Sequence, residues 1–215
     1  MKLLRIFLLT SLICFVTVAA AAQKRASVAQ MGDNAAKLLE LGDFYSRSND
    51  TSDAADRYYQ QAIRSSPGSQ TAGNAQYNRA NYWFRKYYVL KEQYSKEDSY
   101  ALRQAEEHYY NFIDKFAKQT GTGDLLADAE FYLALVYLQQ GRPRDAVGWL
   151  NVIEQAAKED QSIYVYQVAW SSKPADVVDR HLDAAKLANY TRYAIENSKS
   201  VELAIFDIKR WCQKQ

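Results

Sequence analysis

The sequence predicts an all-α fold in which helical hairpins stack into a solenoid, with capping helices at the C-terminal end. Two observations support this prediction. One pattern of small and aromatic residues at helical spacing occurs about three times, most clearly over residues 127–153. The chain of 215 residues also contains only three prolines and eight glycines, which suits a mostly helical protein.

The first 22 residues have the features of a secretory signal peptide. Lys2 and Arg5 form a short basic start, and Ile6–Val18 is an apolar run. Ala19–Ala22 supplies the small residues at which signal peptidase cleaves. An uncleaved membrane anchor is the alternative, because Lys24-Arg25 follows directly. The apolar run is short for a bilayer, which favours cleavage.

The predicted mature chain has no net charge and can form no disulfide bond within itself. Removing residues 1–22 takes away two of the 27 basic side chains, which leaves 25 basic and 25 acidic ones. A neutral chain lacks the positive surplus that attracts nucleic acid or an anionic membrane, so neither is an expected partner. Cys212 is the one cysteine that remains, and an exported protein without disulfides is typical of the bacterial periplasm.

The copies of the repeated pattern begin near residues 35, 73 and 127, so their spacing is irregular. Each copy predicts two helices joined by a turn, with small residues where the helices cross. Pro67 ends the second helix of the first copy, and Gly141 ends the first helix of the third. In the middle copy, an insertion around residues 87–98 separates the two helices. The small and aromatic residues of the pattern are Gly42, Tyr45, Ala55, Tyr59, Ala62, Tyr77, Ala80, Ala105, Tyr109, Phe112, Ala134, Tyr137 and Ala146.

The repeated pattern resembles the tetratricopeptide repeat (TPR), a helical hairpin with a period of about 34 residues. The resemblance defines a repeat domain within residues 23–160. It departs from the family at Arg79, where leucine is usual, and at Lys158, where a closing proline is usual. Residues 109–116 and 127–137 are also similar in style to TPR proteins of the bacterial envelope, which include outer-membrane assembly subunits and coordinators of cell-wall synthesis.

The resemblance to the TPR family implies a groove that binds a protein or peptide. Five positions of each first helix usually line such a groove, and here they mix apolar anchors with polar groups. A groove covered by the chain's own C-terminal helices is the alternative, because the third copy is very apolar at these positions. The implied groove residues are Ala36, Leu39, Asp43, Ser46, Arg47, Asn74, Tyr77, Asn81, Phe84, Arg85, Asp128, Phe131, Leu135, Leu138 and Gln139.

Residues 161–215 predict a helical extension that caps the repeats. The segment Ser162–Trp170 is apolar on both faces, which is compatible with a buried strand or a buried helix. Pro174 is expected to open a helix that runs to about Asn197. A last helix is predicted over Val201–Gln213, with an apolar stripe toward the repeats. These helices would cover the exposed apolar end of an open solenoid.

Neither histidine belongs to a pattern that indicates catalysis or metal binding. His108 is expected on a half-exposed, solvated helix face, with no nucleophile or metal-ligand spacing beside it. His181 follows Asp176 and Asp179, but acidic residues in the first turns after Pro174 are explained by the helix dipole. No catalytic residue, cofactor or metal is therefore predicted.

Three other features have simple structural explanations. The glycine-rich segment 120–124 lacks the strand and lysine of a phosphate-binding loop, so Asp124 is expected to cap the next helix. The aromatic residues within 82–88 point all around a helix and are expected to pack between hairpins. Cys212 is expected to be a buried, unreactive thiol.

These features together predict a non-enzymatic, exported adaptor of the bacterial envelope that holds another protein in its repeat groove. One rival is a structural or self-associating protein whose groove is filled by its own C-terminus or by a second copy. Another is a glycan-binding accessory module that uses exposed aromatic residues such as Trp83 and Trp149.

Overall fold

A computed structural model describes residues 30–48, 52–117, 122–160, 162–169 and 177–215. The predicted signal peptide lies outside these ranges. Within them the chain is mostly helical, as predicted, with a single two-stranded sheet. Every helix there is too short or too polar to cross a membrane. The elements in order are α1 (30–47), α2 (Ala54–Ser65), α3 (Gln70–Tyr94), α4 (Ser99–Lys115), a 3-10 helix (Gly123–Leu125), α5 (Leu126–Gln139), α6 (Pro143–Glu159), β1 (Tyr164–Ala169), β2 (Val177–Asp183), α7 (Ala184–Asn197) and α8 (Val201–Cys212).

Short-range signals in the sequence set the ends of several helices. The side chain of Ser69 accepts a hydrogen bond from the Ala72 N–H and so caps the start of α3. Pro67 follows the end of α2, as predicted. Gly141 has a φ of 71° and ends the turn after α5, in a left-handed conformation that favours glycine. Three hairpins therefore form where the sequence predicts them: α1–α2, α3–α4 and α5–α6.

Neighbouring helices contact each other in chain order from α2 to α8, which is an arrangement like that of helical repeat proteins. One apolar core runs through the stack without a break, from Ala55 on α2 to Cys212 on α8. Val165 of β1 and Leu182 of β2 belong to this same core. The C-terminal extension therefore packs as a continuation of the hairpins.

The middle hairpin corrects one prediction. The expected insertion around residues 87–98 is mostly helix. Helix α3 is 25 residues long and ends only at Tyr94, which leaves a short turn before α4. Tyr87, Tyr88 and Val89 are buried, so the extra turns of α3 are stabilised by packing. The Gln139 side-chain amide donates a hydrogen bond to the Tyr88 hydroxyl at 2.9 Å, which joins this extension to the end of α5.

The C-terminal extension corrects a second prediction, that of an all-helical cap. Residues 164–169 form a strand, one of the two alternatives for this segment. The helix expected at Pro174 begins only at Ala184, because Val177–Asp183 pairs with β1 as an antiparallel strand. Val165 and Leu182 face each other in this pairing and are both buried, so the hairpin is held by apolar packing on the helices. The last helix is confirmed at Val201–Cys212.

Gly42 permits the closest approach between α1 and α2. A Cβ atom at this position would lie 2.5 Å from two ring carbons of Tyr59. That ring cannot move aside easily, since Tyr59 is 1% exposed and its hydroxyl donates a hydrogen bond to Asp43 at 2.8 Å. Gly42 thus fulfils the role expected of a small residue at a helix crossing.

We expect Gly42→Ala to lower the free energy of unfolding by about 2 kcal/mol, because the overpacked methyl group outweighs the gain in helix propensity. Gly148→Ala is the matched control. Gly148 also lies within a helix, but a Cβ atom there would have nothing within 4 Å. The control should stabilise the protein by about 0.5–1 kcal/mol. Urea denaturation measures both values, and a stabilising Gly42→Ala would contradict the close crossing.

Candidate functional site

The structure buries six of the fifteen groove residues implied by the sequence. The exposure of each residue decides which part of the predicted groove a partner can reach. The buried residues are Tyr77, Phe84, Asp128, Phe131, Leu135 and Leu138. The half-exposed or exposed residues are Ala36, Leu39, Asp43, Ser46, Arg47, Asn74, Asn81, Arg85 and Gln139.

The third-copy part of the groove is closed by the chain itself. Phe131, Leu135 and Leu138 are at most 2% exposed. Strand β1 packs on α5, and the Tyr166 backbone N–H donates a hydrogen bond to Asp128 Oδ1 at 2.7 Å. These residues are therefore not accessible to a partner in this structure. The alternative prediction was a cover made by the C-terminal helices, whereas the contact with Asp128 is made by a strand.

The middle-copy aromatic residues serve the packing between helices. Tyr77 contacts the ring of Phe112 at a centroid distance of 5.5 Å, and its hydroxyl donates a hydrogen bond to Asp128 at 3.3 Å. Phe84 packs edge-on against Tyr132 at 5.8 Å. Both groove residues are thus structural, because α4 and α5 cover them.

The first-copy part of the groove is open. Glu40, Asp43, Phe44 and Arg47 are spaced along one face of α1 and line a surface cavity of about 420 Å³ together with Ser48. Phe44 is 66% exposed, which is the largest exposure of any big apolar side chain in the described residues. We call these five residues the α1 face.

Contacts from α2 and α3 hold the α1 face in place. Asp43 Oδ1 accepts hydrogen bonds from the Tyr59 hydroxyl at 2.8 Å and from the Asn78 amide at 2.9 Å. The Arg85 guanidinium donates to the backbone carbonyl of Arg47 at 3.4 Å. Two implied groove residues, Asp43 and Arg85, therefore position this surface, and neither contact was predicted from the sequence.

A second cavity, of about 280 Å³, lies among α5, α6 and β1, and we call it the Glu130 cavity. Glu130 is 7% exposed and has no hydrogen-bond or ion-pair partner among the described residues. Burial raises the pKa of its carboxyl group to about 7. The sequence contains a signal for this site, since Glu130 is an acidic residue in a stretch of α5 that is otherwise almost entirely apolar.

The walls of the Glu130 cavity are apolar and its opening is acidic. Ile153 and Ala127 are buried beside Glu130, whereas Asp124 and Asp160 are exposed. The lining contains no lysine or arginine from the described residues. Among the residues that the structure describes, no group of three or more His, Cys, Asp or Glu could hold a metal ion.

Both histidines differ from expectation. His108 is 4% exposed instead of half-exposed, because α3 covers it and Gln76 donates a hydrogen bond to its backbone carbonyl at 2.9 Å. Burial, together with the positive charge of Arg79, lowers the pKa of His108 to about 4. His181 lies on a strand instead of a helix, with its ring 4.7 Å from that of Tyr166, so the helix-dipole explanation does not apply.

Of the remaining predictions about individual residues, one is wrong and two are confirmed. Asp124 lies within the 3-10 helix, and α5 begins without a side-chain cap from the described residues, so the predicted cap is wrong. The aromatic residues within 82–88 are buried, as expected. Cys212 is buried too, and burial raises the pKa of its thiol to about 12.

Comparisons of the chain with protein-family models, with curated proteins and with solved structures returned no match. Function is therefore argued from the geometry of the α1 face and of the Glu130 cavity.

Proposed function

We propose that this protein is an exported, non-enzymatic adaptor of the bacterial envelope, built from TPR-like hairpins, and that it binds another protein on the α1 face. The observation that carries the proposal is the exposed apolar ring of Phe44 within a row of charged residues on α1, which accepts hydrogen bonds from α2 and α3. An apolar anchor with a polar rim is the usual composition of a protein-binding site.

The surroundings of Phe44 favour an amphipathic helix or an extended peptide as the partner. Leu41 is 41% exposed on the same helix and adds apolar area next to Phe44. Glu40 and Arg47 offer charges of both signs at the rim, so a partner segment with an apolar side chain between polar ones would be complementary. The α1 face belongs to the first copy of the predicted groove, which is the part that the C-terminal strands leave uncovered.

Export to the envelope is proposed from the N-terminal sequence. The basic start, the apolar run of Ile6–Val18 and the small residues of Ala19–Ala22 favour a cleaved signal peptide. The neutral mature chain and its lone Cys212 suit the periplasm, where a helical repeat protein needs no disulfide.

Self-association through the α1 face is the second candidate function. It is favoured by a specific observation, namely that Leu41 and Phe44 leave a large apolar area exposed on the first helix of the stack. A second copy that stacked there would bury these residues, as a further repeat would. The glycan-binding rival is weakened, because Trp83 is 4% exposed and its ring packs against Tyr100.

Crosslinking followed by pull-down from the native envelope tests the adaptor, with Phe44→Glu compared with the wild type. We expect Phe44→Glu to lose one specific crosslinked protein, because a charge would replace the apolar anchor. Phe206→Glu is the matched control, since Phe206 is a similarly exposed ring at 58% on the distant helix α8. A double variant of Tyr77 and Phe131 would be uninformative, because both rings are buried in the core.

Three outcomes separate the candidates. Loss of the crosslinked protein in Phe44→Glu, but not in Phe206→Glu, supports the adaptor. A wild-type dimer by size-exclusion chromatography that becomes a monomer in Phe44→Glu supports self-association. An unchanged set of crosslinked proteins and an unchanged mass in Phe44→Glu would refute both uses of the α1 face.

A further inference from the structure

The Glu130 cavity is lined by residues from two helices and a strand. Helix α5 contributes Glu130 and Ala127, helix α6 contributes Ile153 and Ala156, and strand β1 contributes Tyr166. At about 280 Å³ it lies near the lower end of the range of small-ligand pockets. This size suits a short aliphatic chain better than a large ring system.

The Glu130 cavity is negatively charged near neutral pH, and ionisation of Glu130 adds to this charge. Besides Glu130, the titratable groups that face the cavity are Asp124 from the 3-10 helix, Asp160 after α6, and the phenols of Tyr164 and Tyr166 on β1. Helix α4, which also packs on α5, contributes no lining residue. The Ser162 side chain and backbone N–H donate to Asp160 and hold its pKa below the usual value, so Asp160 keeps its negative charge near neutral pH.

A buried carboxyl group without a partner is costly, and proteins usually satisfy such a group with a hydrogen bond or a charge. Only 7% of the surface of Glu130 is exposed, and this residue lines the cavity. Because this carboxyl group faces the cavity, a hydrogen-bond donor or a cation that enters the cavity would pair with it.

We propose that the Glu130 cavity binds a primary ammonium group on an aliphatic stem, carried by a free alkylamine or by a lysine side chain. The stem would lie against Ile153, Ala156 and Ala127, and the ammonium group would pair with Glu130. Asp124 and Asp160 at the opening would attract the cation during approach. The proposal is independent of the α1 face, with which it shares no residue.

Amine binding should become tighter as the pH rises, because the carboxyl group of Glu130 ionises. The carboxyl group must be ionised to pair with an ammonium group, and its pKa in the free protein is about 7. Binding should therefore be about tenfold tighter at pH 8 than at pH 6, where only about a tenth of Glu130 is ionised. Pairing also lowers the pKa of Glu130, so binding near pH 7 should release a proton.

Isothermal titration calorimetry of the full chain with 1,5-diaminopentane tests the proposal, with Nα-acetyl-lysine methylamide as the second probe. Glu130→Gln should weaken binding at least tenfold at pH 8 and remove the pH dependence. Glu107→Gln, which changes an exposed acid on α4, should bind like the wild type. Ala156→Phe narrows the cavity without changing Glu130 and should also weaken binding, which covers the case in which Glu130→Gln fails to fold.

The two probes distinguish the sources of the ammonium group. Tighter binding of the blocked lysine supports a protein-borne ligand, and tighter binding of the diamine supports a free amine; either result upholds the shared chemistry. The proposal is overturned if Glu130→Gln or Ala156→Phe binds the amines like the wild type. Equal binding of 1-pentanol, which has the stem without the charge, would overturn it as well.

Discussion

Replacing Asp56 with alanine is expected to lower the free energy of unfolding by about 3 kcal/mol, because it leaves a largely buried arginine without its partner. Asp56 lies on α2 and accepts hydrogen bonds from Arg79 Nε at 2.6 Å and from a terminal nitrogen of Arg79 at 3.0 Å. The indole N–H of Trp83 donates to the same carboxylate at 2.6 Å. The Asp56 and Arg79 side chains are 14% and 15% exposed, so water can replace little of what is lost.

The stability difference between wild type and Asp56→Ala should decrease at acidic pH. Burial alone would raise the pKa of Asp56, but the hydrogen bond and charge of Arg79 outweigh burial and hold the pKa below its usual value of 3.8. A carboxyl group with a lowered pKa stabilises the folded state above the pKa of the unfolded chain. The difference between wild type and Asp56→Ala should therefore be complete at neutral pH and should shrink as the pH falls below about 4.

Two controls locate the effect in the buried pair. Asp145→Ala removes one of the two acidic partners of Arg142, from a surface pair whose side chains are 50% and 44% exposed, and should cost less than about 1 kcal/mol. The double variant Asp56→Ala/Arg79→Leu places leucine where the TPR pattern usually has it. It should be more stable than Asp56→Ala alone, because no guanidinium is left unpaired. A loss for Asp56→Ala no larger than for Asp145→Ala would contradict the argument.

Glu130→Gln is expected to stabilise the protein by about 3 kcal/mol at pH 8, which is unusual for a substitution in a buried region. Burial raises the pKa of Glu130 from 4.5 in the unfolded chain to about 7 in the folded protein. Such a group opposes folding once the unfolded chain can ionise, so wild-type stability falls between about pH 4.5 and pH 7 and the cost is constant above that. Glutamine has nearly the same shape and never ionises.

Urea denaturation of wild type and Glu130→Gln at pH 4 and pH 8 measures this difference. The two proteins should be about equally stable at pH 4, where Glu130 is protonated in both states. Glu107→Gln should match the wild type at both values, because Glu107 is exposed. A Glu130→Gln protein that is less stable at pH 8 would show that the carboxylate has a partner in the folded chain. This measurement needs no ligand, so it is independent of the amine titration.

The covered part of the predicted groove shows where sequence reasoning reached its limit. Asp128, Phe131 and Leu135 lie at positions that face a ligand in TPR proteins, and the sequence correctly places them on a first helix. The accessibility of Asp128 depends on β1, since Tyr166 contacts Asp128 from 38 residues away in the chain. The apolar segment of β1 has no decisive period, so the strand and its position against α5 were beyond prediction.

His108 and Glu130 illustrate the same limit for single side chains. His108 has polar neighbours in the sequence, yet α3 covers it in space and its pKa falls to about 4. Glu130 lies in an apolar helix, which the sequence shows, but the cavity beside it requires α6 and β1 to approach from distant parts of the chain. The burial and the pKa of a side chain depend on its neighbours in space, whereas the sequence shows only its neighbours along the chain.

The helical hairpins of this protein could be predicted from residue type and spacing. Gly42, Pro67 and Gly141 act within a turn or at one helix crossing, so their effects can be recognised from the sequence. The contact of β1 with Asp128, the exposure of the α1 face and the position of Glu130 at a cavity became known from the three-dimensional structure. These outcomes depend on contacts between distant segments, which form through summed apolar burial rather than through any local pattern.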